Sequence, residues 1–140
     1  MHRLYNLLTV MVVMVGAFFA THEAVAKLLT GTGGNDELLG TNEADRLKGR
    51  AGNDRLSGRV GNDHLWGGRG ADKIWPGKGN DTVNAGYGDD LVYARDPHGL
   101  DYIDCGPGRD QVETIHRDDD TLSNCERALG PRLGDIKTGG

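Results

Sequence analysis

The stretch 51–68, AGNDRLSGRVGNDHLWGG, carries the triplet Gly-Asn-Asp twice, at Gly52–Asp54 and Gly61–Asp63, nine residues apart. In both copies an aliphatic residue follows two positions after the aspartate (Leu56, Leu65), and a glycine two positions after that (Gly58, Gly67). Working outward from this stretch, and cutting from Gly31, the chain reads GTGGNDELL, GTNEADRLK, GRAGNDRLS, GRVGNDHLW, GGRGADKIW, PGKGNDTVN and AGYGDDLVY. An eleven-residue unit, ARDPHGLDYID, and then CGPGRDQVE complete the series. The sixth position is always aspartate: Asp36, Asp45, Asp54, Asp63, Asp72, Asp81, Asp90, Asp101 and Asp110. The eighth is always aliphatic, from Leu38 and Leu47 to Ile103 and Val112, and the fourth is Gly except at Glu43. Leu29, nine residues before Leu38, extends the aliphatic series backwards by one strand.

A fixed short period is the mark of a stacked repeat architecture. The first six residues of each unit are rich in Gly, Asn and Asp, which make tight turns and tolerate positive φ. The last three place one aliphatic between two mostly polar neighbours. Neighbours in a strand point to opposite faces, so the aliphatic faces one way and its flanks the other. Nine residues therefore make one turn and one short strand, and eighteen bring the chain back to its starting side. Successive coils stack as parallel strands about 4.8 Å apart. The aliphatics then form two internal ladders and the aspartates two columns.

These units resemble GGxGxDxUx, the haemolysin-type or RTX calcium-binding repeat, in which U is a large aliphatic. The resemblance covers residues 31–113 and implies an all-β fold, a right-handed parallel β-roll. It also implies Ca²⁺ between stacked turns, with each ion taking the sixth-position aspartates of two turns eighteen residues apart and main-chain carbonyls of both. The metal ligands expected on this basis are Asp36, Asp45, Asp54, Asp63, Asp72, Asp81, Asp90, Asp101 and Asp110. One column pairs Asp36–Asp54, Asp54–Asp72, Asp72–Asp90 and Asp90–Asp110; the other pairs Asp45–Asp63, Asp63–Asp81 and Asp81–Asp101. That allows at most about seven intervening ions. Glu43 puts Asp45–Asp63 in question, the two extra residues before Gly99 do the same for Asp81–Asp101, and Pro76 stands where a unit normally opens on Gly.

The physical case for a cation is electrostatic. Two like charges 4.8 Å apart repel by about 0.9 kcal/mol in water and roughly 3.5 kcal/mol at an effective dielectric of 20. Ca²⁺ is a hard cation that accepts six to eight oxygens in flexible geometry. The competing reading is a metal-free, glycine-rich solenoid whose aspartates only close Asx-turns. A core this thin favours the first reading, in which calcium folds a chain that is largely disordered without it.

The ends of the chain differ from its middle. His2 and Arg3, the apolar run from Leu7 to Ala20 and the small residues Ala24-Val25-Ala26 have the layout of a cleaved secretory signal peptide, residues 1–26. The apolar run is short for a membrane span of about 20 residues. The expected remainder is a roll over residues 27–113 and a cap with a disordered tail over 114–140. Ser123 and Glu126 form a capping box that predicts a short helix from about Asn124 to Leu129. A disulfide between Cys105 and Cys125 is the natural reading in an oxidising compartment, with two free thiols the alternative. The DCGPGRD and NCE segments also look like the ending of small secreted bacterial RTX-repeat proteins. Asp118-Asp119-Asp120 reads as a solvated run, with a further cation site as the alternative.

The chain has 23 Gly, 2 Phe and a formal net charge of −5, and its cations look scattered along the sequence, which argues against nucleic acid. His64, His98 and His116 share no ligand spacing, and no hydrolase, metalloprotease or P-loop motif occurs. The expectation is a secreted, monomeric calcium-binding protein and not an enzyme. The alternative is a calcium-rigidified adhesion or envelope module that contacts a cell-surface or glycan partner. It would use outward aromatics: Trp75 beside Tyr93 on one face, and Trp66 near Arg46, Lys48, His64 and Tyr102 on the other. The plainer account of those rings is that they shield a thin sheet.

Overall fold

The computed structural model describes residues 25–96, 99–114 and 120–129. The expected signal peptide, apart from Val25 and Ala26, lies outside them, as do His98, His116, Asp118, Asp119 and the tail beyond Leu129. The described residues form twelve strands: β1 Leu28–Thr30, β2 Glu37–Leu39, β3 Arg46–Ala51, β4 Arg55–Val60, β5 His64–Arg69 and β6 Lys73–Lys78 come first. β7 Thr82–Tyr87, β8 Leu91–Ala94, β9 Tyr102–Asp104, β10 Gln111–Thr114, β11 Thr121–Ser123 and β12 Arg127–Leu129 follow. Odd strands make one six-stranded sheet in the order β1-β3-β5-β7-β9-β11, and even strands make the other, β12-β10-β8-β6-β4-β2. The pairings are parallel, with an eighteen-residue register among β1 to β8, as in Leu47↔Leu65 and Leu56↔Ile74, and offsets of twenty (Val83↔Ile103, Val92↔Val112), nineteen (Ile103↔Leu122) and sixteen (Val112↔Ala128) beyond them. No helix of the described residues is long and apolar enough to cross a membrane.

The period of nine gives this arrangement because each eighth-position aliphatic lands on its counterpart one coil away. Leu29, Leu47, Leu65, Val83, Ile103 and Leu122 stack through one sheet. Leu38, Leu56, Ile74, Val92, Val112 and Ala128 stack through the other. Leu47 through Val112 are fully buried, so this double ladder is the core. The first position of each unit also faces inward; it is Gly in the first five units, where a methyl at Gly58, for example, would be driven into both the Asp63 carboxylate and the Pro76 carbonyl, and Pro76, Ala85, Ala94 and Cys105 in the later ones. Pro76 itself is accommodated at that place inside β6. It has no N–H to donate, and the registered pairing of β6 with β8 ends at Ile74↔Val92.

The expected C-terminal helix is corrected. Asn124 holds φ 53, Cys125 is bonded to Cys105 with a Cα–Cα distance of 5.1 Å, and Arg127–Leu129 is a strand in register with Gln111–Glu113. An open edge of a parallel sheet presents unpaired N–H and C=O groups. Strand β12 satisfies those of β10, which a helix would have left exposed. Strand β11 does the same for β9, with Thr121 beside Tyr102 and Leu122 beside Ile103, so the two sheets continue past Glu113.

Candidate metal centre

Each sixth-position aspartate sits where a turn enters a strand, and stacking builds the two columns expected from the spacing. The backbone N–H of Asp36 donates to Asp54 Oδ1 (2.8 Å), that of Asp54 to Asp72 Oδ1 (2.8 Å), that of Asp72 to Asp90 Oδ1 (2.8 Å) and that of Asp90 to Asp110 Oδ1 (2.9 Å). In the second column Asp45 donates to Asp63 (2.7 Å), Asp63 to Asp81 (2.8 Å) and Asp81 to Asp101 (2.9 Å). Neither Glu43 nor the longer unit before Asp101 interrupts this ladder. Asp120 extends it, because the Asp101 N–H donates to Asp120 Oδ1 at 3.1 Å and the Thr114 hydroxyl to Oδ2 at 2.8 Å. That residue was expected to be part of a solvated run.

The second carboxylate oxygen separates the turns into two kinds. At Asp54, Asp63, Asp72, Asp81, Asp90 and Asp110, Oδ2 is buried and accepts no hydrogen bond. At Asp36 and Asp45 it is already occupied. Thr32 donates its N–H (2.6 Å) and its hydroxyl (3.0 Å) to Asp36 Oδ2, and Thr41 donates both groups to Asp45 Oδ2. The difference follows from the second position of the unit. In later turns it has left-handed backbone: Arg50 at φ 87, Arg59 at φ 82, Gly68 at φ 118 and Gly77 at φ 111.

Burying a carboxylate without a donor on one oxygen is costly, and the column shows it. Burial, opposed by the backbone hydrogen bond and assisted by the neighbouring aspartate, raises Asp54, Asp63 and Asp72 above the usual carboxylate range. Burial raises Asp110 too, with Glu126 and Asp89 adding to the shift. Burial pushes Asp81 and Asp90 up to about 7, and Asp101 to about 6. A cation beside the orphaned oxygens would reverse this. The surroundings also supply neutral oxygens: the space a methyl would fill at Gly49 is flanked by Asp54 Oδ2 and the Gly67 carbonyl, and at Gly67 by Asp72 Oδ2 and the Ala85 carbonyl. No cluster of three or more His, Cys, Asp or Glu occurs among the described residues, so a cation here draws on carbonyls as well as carboxylates. That donor set is all oxygen, which suits Ca²⁺.

The family model described as RTX calcium-binding nonapeptide repeat (4 copies) matches residues 30–65, 49–83 and 66–96. Residues 30–96 are RTX calcium-binding repeats. No curated protein and no solved structure matches the chain. The RTX repeats and the parallel solenoid together fit a calcium-binding β-roll, and the roll continues beyond the matched residues through Asp101, Asp110 and Asp120.

A second ladder went unread in the sequence. The fifth-position side chains Asn35, Asn53, Asn62, Asn80 and Asp89 each accept a hydrogen bond from the backbone N–H of the same position in the next coil, at 2.8 to 3.0 Å. Asp89 is held below the usual carboxylate range by the backbone and side chain of Arg109. The Asn of each Gly-Asn-Asp triplet thus points forward along the stack, while the Asp points back.

Proposed function

We propose that the chain is a secreted calcium-binding protein whose roll folds when Ca²⁺ occupies the columns. The observation that carries this is the set of six buried, donor-free Oδ2 atoms at Asp54, Asp63, Asp72, Asp81, Asp90 and Asp110. Five intervening positions include neither threonine-capped aspartate: Asp54–Asp72, Asp72–Asp90, Asp90–Asp110, Asp63–Asp81 and Asp81–Asp101. They are the ones we assign to the ions that bind first. Asp36–Asp54 and Asp45–Asp63 bring the total to the expected ceiling of about seven, and each begins on a threonine-capped turn. Extracellular calcium modules commonly bind at about 10⁻⁴–10⁻³ M, and that range is expected here. The role assigned is binding and calcium-dependent folding, without catalysis.

Isothermal titration of the full chain with Ca²⁺ tests this reading. About five tight equivalents, reduced by Asp72→Asn, would support it. No heat of binding for calcium would refute it. The alternative, a calcium-rigidified envelope module, gains little from Trp75 and Tyr93, which stack on each other with centroids 4.9 Å apart. The other face, with Trp66 beside Lys48, speaks for it.

A further inference from the structure

The fold divides the cations of the first coils between two sheets, with Arg46, Lys48, Arg50 and Arg69 on β3 and β5 and Arg55, Arg59, Lys73 and Lys78 on β4 and β6. From Ala44 to Gly79 the chain has eight Lys and Arg residues and four carboxylates. The carboxylates are Asp45, Asp54, Asp63 and Asp72, all buried in the columns. The eight cations are all exposed. Strand β3 shows the arrangement most clearly: Arg46, Lys48 and Arg50 are exposed, while Leu47 and Gly49 face inward. Alternate residues of a strand share a face at about 6.6 Å spacing, so Arg46 and Lys48 stand side by side, and Arg50 is exposed just beyond them where the backbone turns at φ 87. Beside them on β5, His64 lies next to Arg46 and Trp66 next to Lys48. The Lys48 ammonium is 5.1 Å from the Trp66 ring centroid, and His64 stacks on Trp66 at 5.8 Å.

No ion pair among the described residues neutralises this face. The ion pairs between described residues are Arg95–Glu113 and Arg109–Asp89, both towards the other end of the roll. Arg50 and Arg59 also hold left-handed backbone where later coils have Gly68, Gly77 and Gly86, an uncommon conformation for a residue with a side chain. We propose that the outer face formed by Arg46, Lys48 and Arg50, with His64 and Trp66 beside them, docks a polyanionic polysaccharide.

The charge pattern selects a polymer of repeated anionic groups. The row offers no apolar side chain to insert into lipid. No helix or ribbon projects to enter a nucleic-acid groove, and Trp66 is already engaged by Lys48 and His64 rather than standing free to stack a base. A flat, charged, strand-spaced surface remains, and a carbohydrate chain carrying sulfate or carboxylate groups can lie across it. If calcium fills the columns as proposed above, it cancels negative charge in the turns that border the face. Polyanion binding and calcium binding would then strengthen each other by the same factor. Only this coupling rests on the calcium reading.

The test is binding of the full chain to dextran sulfate, with neutral dextran as control, at several salt concentrations. The combined variant Arg46→Gln, Lys48→Gln, Arg50→Gln should weaken binding on the order of tenfold or more and flatten its salt dependence. The control variant Arg95→Gln, Arg109→Gln should stay within about twofold. Equal loss in both variants, or equal binding of neutral dextran, overturns the proposal. So does tighter binding of single-stranded DNA of matched charge, which would assign the face to nucleic acid. Circular dichroism of the same samples, with calcium and with chelator, separates the two readings. A chain already folded in chelator and binding dextran sulfate there would sink the calcium reading and leave the docking face standing.

Discussion

The turns at Thr32–Asp36 and Thr41–Asp45 and those from Asp54 to Asp110 carry the same motif and the same aspartate, yet they solve one electrostatic problem differently. In the first pair the protein supplies the donors: a threonine N–H and hydroxyl reach each Oδ2. In the turns of Asp54, Asp63, Asp72, Asp81, Asp90 and Asp110 the second residue, Arg or Gly, adopts left-handed backbone, and Oδ2 is left buried without a partner. The same carboxylate is thus a closed cap at the start of the stack and an open ligand in its middle. A repeat motif defines where an oxygen goes. Its neighbours define whether that oxygen still needs a cation.

Glycine substitutions give the largest separation between the two regions. Gly70 holds φ 125, and an added methyl would be driven into the Gly52 carbonyl, whereas at Gly33 it would meet nothing within 4 Å. Gly70→Ala should destabilise the calcium-loaded protein by about 2–5 kcal/mol. Gly33→Ala should change it by no more than about 0.5 kcal/mol. Chemical denaturation in excess calcium reads both.

Acidification should act on the middle of the roll. Asp81 and Asp90 are raised from 3.8 to about 7, and Asp101 to about 6, without metal. The folded, metal-free state therefore binds more protons than the unfolded chain. Its stability is fully present below the ordinary carboxylate value and is lost as pH rises through about 6 and then 7. In chelator, β-structure should grow as the pH is lowered from 8 to 5. Calcium affinity should fall over the same window, because protons and calcium compete for the same oxygens. A metal-free spectrum that does not change with pH would contradict the assignment of buried, unpaired carboxylates.

Charge removal sharpens the comparison further. Asp72→Asn should raise the calcium midpoint roughly tenfold or more, since two neighbouring positions share it. Asp36→Asn, at a capped turn with one neighbour, should stay within about threefold. The smallest effect is expected at the caps themselves. Thr32→Val removes an exposed hydroxyl that donates to Asp36 and accepts from the Gly34 N–H, and should cost about 0.5–1 kcal/mol, read in the stability of the loaded protein.

Much of this was legible because the period is strict. The two ladders, the aspartate columns and the stacking of Trp75 on Tyr93 follow from counting nines and eighteens. The Cys105–Cys125 bond, expected from the oxidising context, is present. Other features were hidden where the count breaks or where a residue has a plainer use. Asn53 reads as a turn former because its partner, the Ala71 N–H, is eighteen residues away. Strand β12 was obscured because Ala128 follows Val112 by sixteen residues rather than eighteen, and Ser123 with Glu126 mimics a helix start. Thr32 and Thr41 looked like ordinary variation at a tolerant position. The neighbourhood of Trp66, Lys48 and Arg46 was legible from the same count, and what it concealed was that no ion pair among the described residues offsets those cations.

The central claim is that the middle of the roll is incomplete without calcium. Far-UV circular dichroism of the full chain in chelator, then with rising Ca²⁺ and separately with Mg²⁺, tests it most directly. The account predicts a cooperative gain of β-structure with calcium and little with magnesium at the same concentration. A complete β spectrum in chelator at neutral pH, unchanged by calcium, would contradict it.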